Sequence, residues 1–361
     1  MKLLPTACAA LLSAGLIWGT MACEREPEIE VREVERPVAW RPVGNLRGIH
    51  RVLMSGGTDG ERLLLQSPGG ISVLEHSGAN GTTTALGRFP TDPQHRLPIG
   101  PTYFAYPASD TLLAVVLAAH PLFTPAYLHL RTFDPSATSL TSRPDGGSLR
   151  VAFTLGGQAL VPYFTQPGAA PTLALLTIST LSGTQPTLQA VKVTLPVAAG
   201  SVSYSDVRSV TAIDDFFLVT TYSQGIFKVT NTGAVRAVAA EQGILSMCRW
   251  KNDLYAFAEW STALRSTDKG ETWQRYTGIP DDLVLANYHS VGDSLLFSRF
   301  DRLFTLRWDA AGASYSIRAL NSDGLDRTAI NGVVLLRDTV YAVTTGGLFA
   351  RPLREAFQSA R

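Results

Sequence analysis

Three cysteines and six histidines are the side chains of this 361-residue sequence best suited to nucleophilic or metal chemistry. Metal sites need such residues clustered at short spacing. His50, His76, His95, His120, His129 and His289 are scattered, with no pair at i, i+2 or i+4 and none beside a cysteine. His129, between Leu128 and Leu130, reads as a strand-face residue. Asp281-Asp282 and Asp323-Gly324-Leu325-Asp326 offer carboxylates, but not the alternating oxygen ligands of a calcium loop. No glycine-rich phosphate loop, G-x-S-x-G elbow or H-E-x-x-H helix is present, so neither a metal nor a cofactor is expected. Cys248 follows Ile244-Leu245-Ser246-Met247 with no histidine nearby in sequence, and is predicted to be a buried small hydrophobe. Tyr255, Glu259, Asp282 and Tyr288 have the types a glycosidase uses, but two carboxylates at a catalytic separation cannot be read from spacing.

One stretch has both type and spacing: Ser266-Thr267-Asp268-Lys269-Gly270-Glu271-Thr272-Trp273, or S-x-D-x-G-x-T-W. Gly270 suits a turn position with positive φ, while Ser266 and Asp268 can bond nearby backbone amides. Trp273 then supplies a large apolar anchor at the next strand. The stretch resembles the Asp box of bacterial-neuraminidase-type repeats, found in sialidases, sortilin-like receptors and photosystem assembly factors. That resemblance implies a folding device on the outer hairpin of a β-propeller blade, with Ser266, Asp268, Gly270, Thr272 and Trp273 in structural roles. Degenerate versions stand at residues 77–83 and at Asn231-Thr232-Gly233.

A sialidase would also need an arginine triad, an early Arg-Ile-Pro segment, a Tyr-Glu pair and an acid–base aspartate. Arg96-Leu97-Pro98 has Leu for Ile, and no spacing identifies the rest. No catalytic residue is assigned. Gly292-Asp293-Ser294-Leu295 spells the string of the GDSL lipase family, but it falls at a repeated turn position and no late Asp-x-x-His exists.

The elements that must carry these residues are strands. From Val38 onward, apolar segments of four to eight residues, such as 62–65, 112–116, 216–219 and 340–343, alternate with Gly, Pro, Asp and Asn. Four units share a turn residue, a strand, a polar break and a second strand, with aspartates at 215, 253, 293 and 338, and so 38, 40 and 45 residues apart. Three weaker copies begin at Asp59, Ser109 and Gly157, giving seven. Strand pairs at that period predict an all-β chain: one β-propeller of seven blades, each with four antiparallel strands. Two stacked β-sandwiches are the alternative. The last unit offers only three strands, 330–336, 339–345 and 348–353, so Val38–Val43 is predicted to add the fourth and close the ring. Leu353–Ala360 is expected to form a helical turn or two.

The N-terminus reads as an address. Met1-Lys2, an apolar run over 3–18 and small residues before Cys23 form a predicted signal peptide, residues 1–22. The boundary resembles a bacterial lipobox, with Ala22 fitting and Thr20 departing from the usual leucine, which implies lipidation of Cys23. Residues 23–36 then form an acidic tether with six glutamates and three arginines, similar to surface-export signals of Bacteroidetes lipoproteins. Residues 37–361 form the propeller. Only Cys248 remains unmodified, so no internal disulfide is expected. With 17% charged residues and a net charge of +1, the chain has no basic field for nucleic acid. The sequence thus predicts a monomeric, non-enzymatic envelope lipoprotein held at the outer membrane by its lipid, with a binding or scaffold propeller for a protein or glycan partner. A divergent sialidase-like glycoside hydrolase is the alternative, and an assembly factor is a third reading by analogy alone.

Overall fold

The structure is a computed structural model and describes residues 39–44, 52–58, 60–68, 70–75, 83–88, 103–117, 125–140, 149–166, 168–180, 186–197, 207–284, 286–308, 314–325 and 327–360. The predicted signal peptide, Cys23, the acidic tether and the 96–98 segment lie outside them. The described chain opens with β1 (Arg41–Pro42). Blade 1 follows as β2 (Ser55–Thr58), β3 (Arg62–Ser67), β4 (Gly70–Glu75) and β5 (Thr83–Arg88). Blade 2 has β6 (Tyr103–Ser109), β7 (Leu112–Leu117) and β8 (Ala126–His129), followed by helical turn α1 (Leu130–Phe133). Blade 3 has β9 (Ala152–Phe153), β10 (Gln158–Tyr163), β11 (Thr172–Thr180) and β12 (Pro186–Thr194). Blade 4 has β13 (Val207–Ile213), β14 (Phe216–Thr221), β15 (Gly225–Val229) and β16 (Val235–Ala239). Blade 5 has β17 (Ile244–Trp250), β18 (Asp253–Ala258), β19 (Thr262–Ser266) and β20 (Gln274–Thr277), followed by α2 (Asp281–Val284). Blade 6 has β21 (Asn287–Val291), β22 (Ser294–Arg299), β23 (Arg302–Trp308) and β24 (Tyr315–Ala319). Blade 7 joins β25 (Ile330–Leu336), β26 (Thr339–Thr344) and β27 (Gly347–Pro352) to β1, and α3 (Leu353–Ala356) follows.

All pairings are antiparallel, and the first strands of successive blades lie side by side: β25 between β2 and β21, β17 between β13 and β21, β9 against β13. Those strands surround the axis. Period two makes the second strands bury both faces. In β3, Leu63 and Leu65 pack on blade 7 while Leu64 packs on blade 2. In β14, Phe217 and Val219 face blade 3 while Leu218 faces blade 5. A separate apolar cluster fills each junction between neighbouring blades, the one between blades 7 and 1 included. That continuous circuit makes the molecule a seven-bladed β-propeller, as the repeat count predicts, and excludes paired sandwiches.

The N-terminal strand closes blade 7, as predicted. Arg41 pairs with Ala350 and Pro42 with Phe349, and the Val43 amide donates to the Leu348 carbonyl at 2.9 Å. Trp40, 3% exposed, locks this strand in place. Its amide donates to the Asp323 carbonyl at 2.8 Å and its indole N–H to the Asn321 carbonyl at 3.3 Å. The fully buried Arg351 lies 5.9 Å from the Trp40 ring and donates to the same Asn321 carbonyl.

Two local readings change. The strand expected around His129 breaks after that residue because Leu130 turns into the core between blades 2 and 3. The buried Asp134 then accepts from Tyr163, Ser136 and Lys192. Second, the turn aspartates 215, 293 and 338 occupy two-residue hairpins, whereas Asp253 pairs with Trp250 inside the strand. There it takes both Nε and Nη2 of Arg265, at 2.9 and 2.6 Å.

Candidate functional site

Antiparallel pairing gives the propeller two faces. One holds the starts of the first strands and the turns between second and third strands. Blade-to-blade hydrogen bonds fix it: Gly243 to the Tyr222 carbonyl at 2.6 Å, and Ile330 to the Phe300 carbonyl at 2.8 Å. The opposite face holds the first-to-second and third-to-fourth turns.

The Asp-box stretch lies on that opposite face, between β19 and β20. Asp268 Oδ1 accepts from Ser266 Oγ at 2.8 Å and from the Glu271 and Thr272 amides at 3.1 and 2.9 Å. Its Oδ2 accepts from Thr272 Oγ1, and Ser266 Oγ accepts from the Gly270 amide at 2.7 Å. The Thr272 hydroxyl and amide and Ser266 hold the Asp268 carboxyl below the usual carboxylate range against a weaker burial effect. Gly270 has φ 83°, and a Cβ there would lie 3.0 Å from Leu218. Trp273 donates to the Gly270 carbonyl and packs on the core between blades 4 and 5. The side chains of Ser266, Asp268 and Thr272 bond within the motif, while Lys269 reaches Asp214, and Glu271 reaches Lys228 and Arg236, in blade 4. In blade 4, the degenerate copy keeps one bond of this kind, from the Ala234 amide to Thr230 Oγ1, and a glycine at φ 87°.

The remaining sequence candidates are dispersed. Cys248 is buried between blades 5 and 6, which pushes its thiol far up. Tyr255 stacks on Trp308 and Tyr288 on Phe257, and burial raises both phenols. Ser294 begins β22 after the Gly292-Asp293 turn, so the lipase-like string is a hairpin. Asp323 is bonded to Asn321, and Tyr163 to Asp134. The side chains of Asp281 and Asp282 lie outside the described residues. Among the described residues no cluster of three metal-ligating side chains forms, and no helix is long and apolar enough to cross a membrane.

The first face carries what spacing did not show. Trp260 and Phe300 sit in the second-to-third-strand turns of adjacent blades 5 and 6, and are 74% and 76% exposed. Both occupy the left-handed region, with φ 57° and 52°. Bulky residues are strained there by roughly 1–2 kcal/mol. A groove of about 570 Å³ runs beside Trp260 past Glu241, Gln242 and Arg275. In the corresponding turn of blade 4, Tyr222 donates to Glu259 Oε2 at 2.8 Å, and the Arg208 guanidinium lies 4.7 Å from the Tyr222 ring centre. At the axis, a cavity of about 370 Å³ is lined by Gly56, Ser209, Ser246, Asn287, His289 and Asn331 among others, with His289 Nε2 3.0 Å from Ser298 Oγ. The Tyr-Glu pair was missed because its members are 37 positions apart and meet only across a blade junction.

No family model matches the chain, and no curated protein matches it by sequence. Its shape is shared with solved structures. PorZ of Porphyromonas gingivalis, described as an essential bacterial surface component of the type-IX secretion system, superposes with a TM-score of 0.54 at 12% identity, over 90% of this chain and 39% of PorZ. The extracellular domain of a one-component system from B. thetaiotaomicron gives 0.54 at 13% identity, over 90% and 44%. BamB from Moraxella catarrhalis gives 0.51 at 12% identity, over 82% and 84%. The chain spans less than half the length of the first and second of these. At such identities the likeness is one of fold.

Proposed function

We propose that this chain is a non-enzymatic envelope lipoprotein whose propeller binds a protein or glycan partner through the face carrying Trp260 and Phe300. That pair of exposed aromatics carries the reading. Each costs the fold twice, in backbone strain and in apolar surface left in water. Left-handed turn residues recur in the hairpins of this chain, as at Asp214, Lys251 and Arg337, but in neighbouring blades 5 and 6 the residue placed there is a large exposed aromatic. Large aromatics rimmed by polar groups are the usual anchors of binding surfaces. Lipidation of Cys23, the acidic tether and an outer-membrane location belong to the same proposal. The propeller neighbours, a surface component and an extracellular domain, support a binding role.

The test is capture from detergent-solubilised envelopes by the full chain. A specific protein or glycan should be retained, and the double variant W260S/F300S should lose it. No specific capture at any salt concentration would contradict the proposal. Incorporation of labelled palmitate, absent in C23S, checks the anchor.

A glycoside hydrolase is favoured by one observation, the Tyr222–Glu259 hydrogen bond beside Arg208. A panel of chromogenic glycosides, sialosides first, decides it. Turnover abolished by E259Q would establish the enzyme.

A further inference from the structure

We propose that Arg150 and Arg208 form a binding site for an anionic oxygen group, a carboxylate, sulfate or phosphate, carried by the ligand of this face. The inference rests on the binding role proposed above and names the chemistry of the ligand.

Arg208 is the second residue of β13 and Arg150 lies two residues before β9, so both stand where neighbouring first strands of blades 4 and 3 begin. Both side chains are half-buried. Several other basic groups have a carboxylate: Lys228 and Arg236 share Glu271, Arg249 and Lys269 share Asp214, Arg265 holds Asp253 and Arg275 meets Glu241. Among the described residues, Arg150 and Arg208 have no ion-pair or hydrogen-bond partner, and Arg208 Nε is buried with none. Burial, and after it the charge of Arg208, pushes the Arg150 guanidinium down to about 10, still charged at neutral pH.

Two like charges drawn partly from water without a counter-ion among the described residues are a cost to the empty fold, and an anion between them would remove it. The site is held ready for one. Tyr222 supports the Arg208 guanidinium from one side, and Glu259 fixes the Tyr222 hydroxyl instead of neutralising the arginine. A guanidinium offers its N–H groups as a planar fork that matches two oxygens of a carboxylate, sulfate or phosphate.

The experiment is calorimetric titration of the full chain, at constant ionic strength in sodium chloride, with inorganic sulfate, inorganic phosphate and sodium glucuronate, and glucose as the neutral control. At least one anion should bind saturably in the millimolar range. Binding should weaken tenfold or more in R150Q and in R208Q, and stay unchanged in R302Q, an exposed arginine of blade 6. The ligand-free double variant R150Q/R208Q should melt at or above the temperature of the parent chain. Absence of saturation, or binding indifferent to both substitutions, would overturn the site. So would a double variant that unfolds, since the guanidiniums would then be holding the fold. If no anion binds but capture still depends on Trp260 and Phe300, the anion site fails and the binding face stands. If capture fails as well, the face itself is wrong.

Discussion

Asp268 and Asp134 show how differently two carboxylates can serve the same fold. Asp268 is exposed and closes a turn through acceptor bonds within five residues, which is why its environment was legible in the sequence. D268A should lower stability by about 1–2 kcal/mol, the loss of a capping carboxylate, read as a shift of the urea midpoint. G270A should cost more than an ordinary Gly→Ala change, because its Cβ must enter at φ 83° against Leu218. Asp134 had no such signature. Its partners Tyr163 and Lys192 lie 29 and 58 positions away, on blade 3. Burial alone would raise its pKa, but Lys192, then Ser136 and Tyr163, outweigh burial and hold it far below the usual range. A depressed carboxyl stabilises the fold above its unfolded pKa, about 3.9, and that contribution fades as pH falls towards the folded value. The stability gap between the parent chain and D134N should therefore be full at pH 6 and shrink steadily below pH 4. A gap independent of pH would show that Asp134 is not ionised in the fold.

At the scale of elements, β1 carries more than its two residues suggest. It fills the outer position of blade 7, and Trp40 reaches into the core between blades 6 and 7. Trp40→Ala should destabilise by about 3–5 kcal/mol, as for a buried aromatic removed from a packed core. A chain beginning at Gly48 should not give a folded propeller, and near-ultraviolet circular dichroism reads this directly. One that melts like the parent would show that closure does not depend on β1. The strands were legible because both faces of each second strand are buried, giving continuous apolar runs between turn residues. The register of blade 5 was not. Asp253 repeats the spacing of the other turn aspartates, yet the hairpin turns at Lys251 and Asn252 and leaves Asp253 to Arg265. A salt bridge across the sheet has no period to reveal it. The break after His129 was hidden in the same way, since Leu130 is apolar whether it continues a strand or turns into a core.

For the molecule as a whole, the seven junction clusters form a circuit in which each blade is supported from both sides. Unfolding of the described propeller should be cooperative, with tryptophan fluorescence and circular dichroism transitions coinciding. The same geometry separates the labour of the two faces. The Asp-box turn and the charged turns paired through Asp214 spend their polar groups on one another, while the other face leaves Trp260 and Phe300 exposed and the two arginines without an ion-pair partner among the described residues. Composition gave no basic field and repeats gave the ring, but the choice of face depends on residues brought together from four blades. The deciding measurement is capture by full chains altered on one face at a time. W260S/F300S should lose the envelope partner, and R249S/K269S, folded and altered only on the Asp-box side, should retain it. Loss in the second variant with retention in the first would place binding on the wrong face and contradict the account.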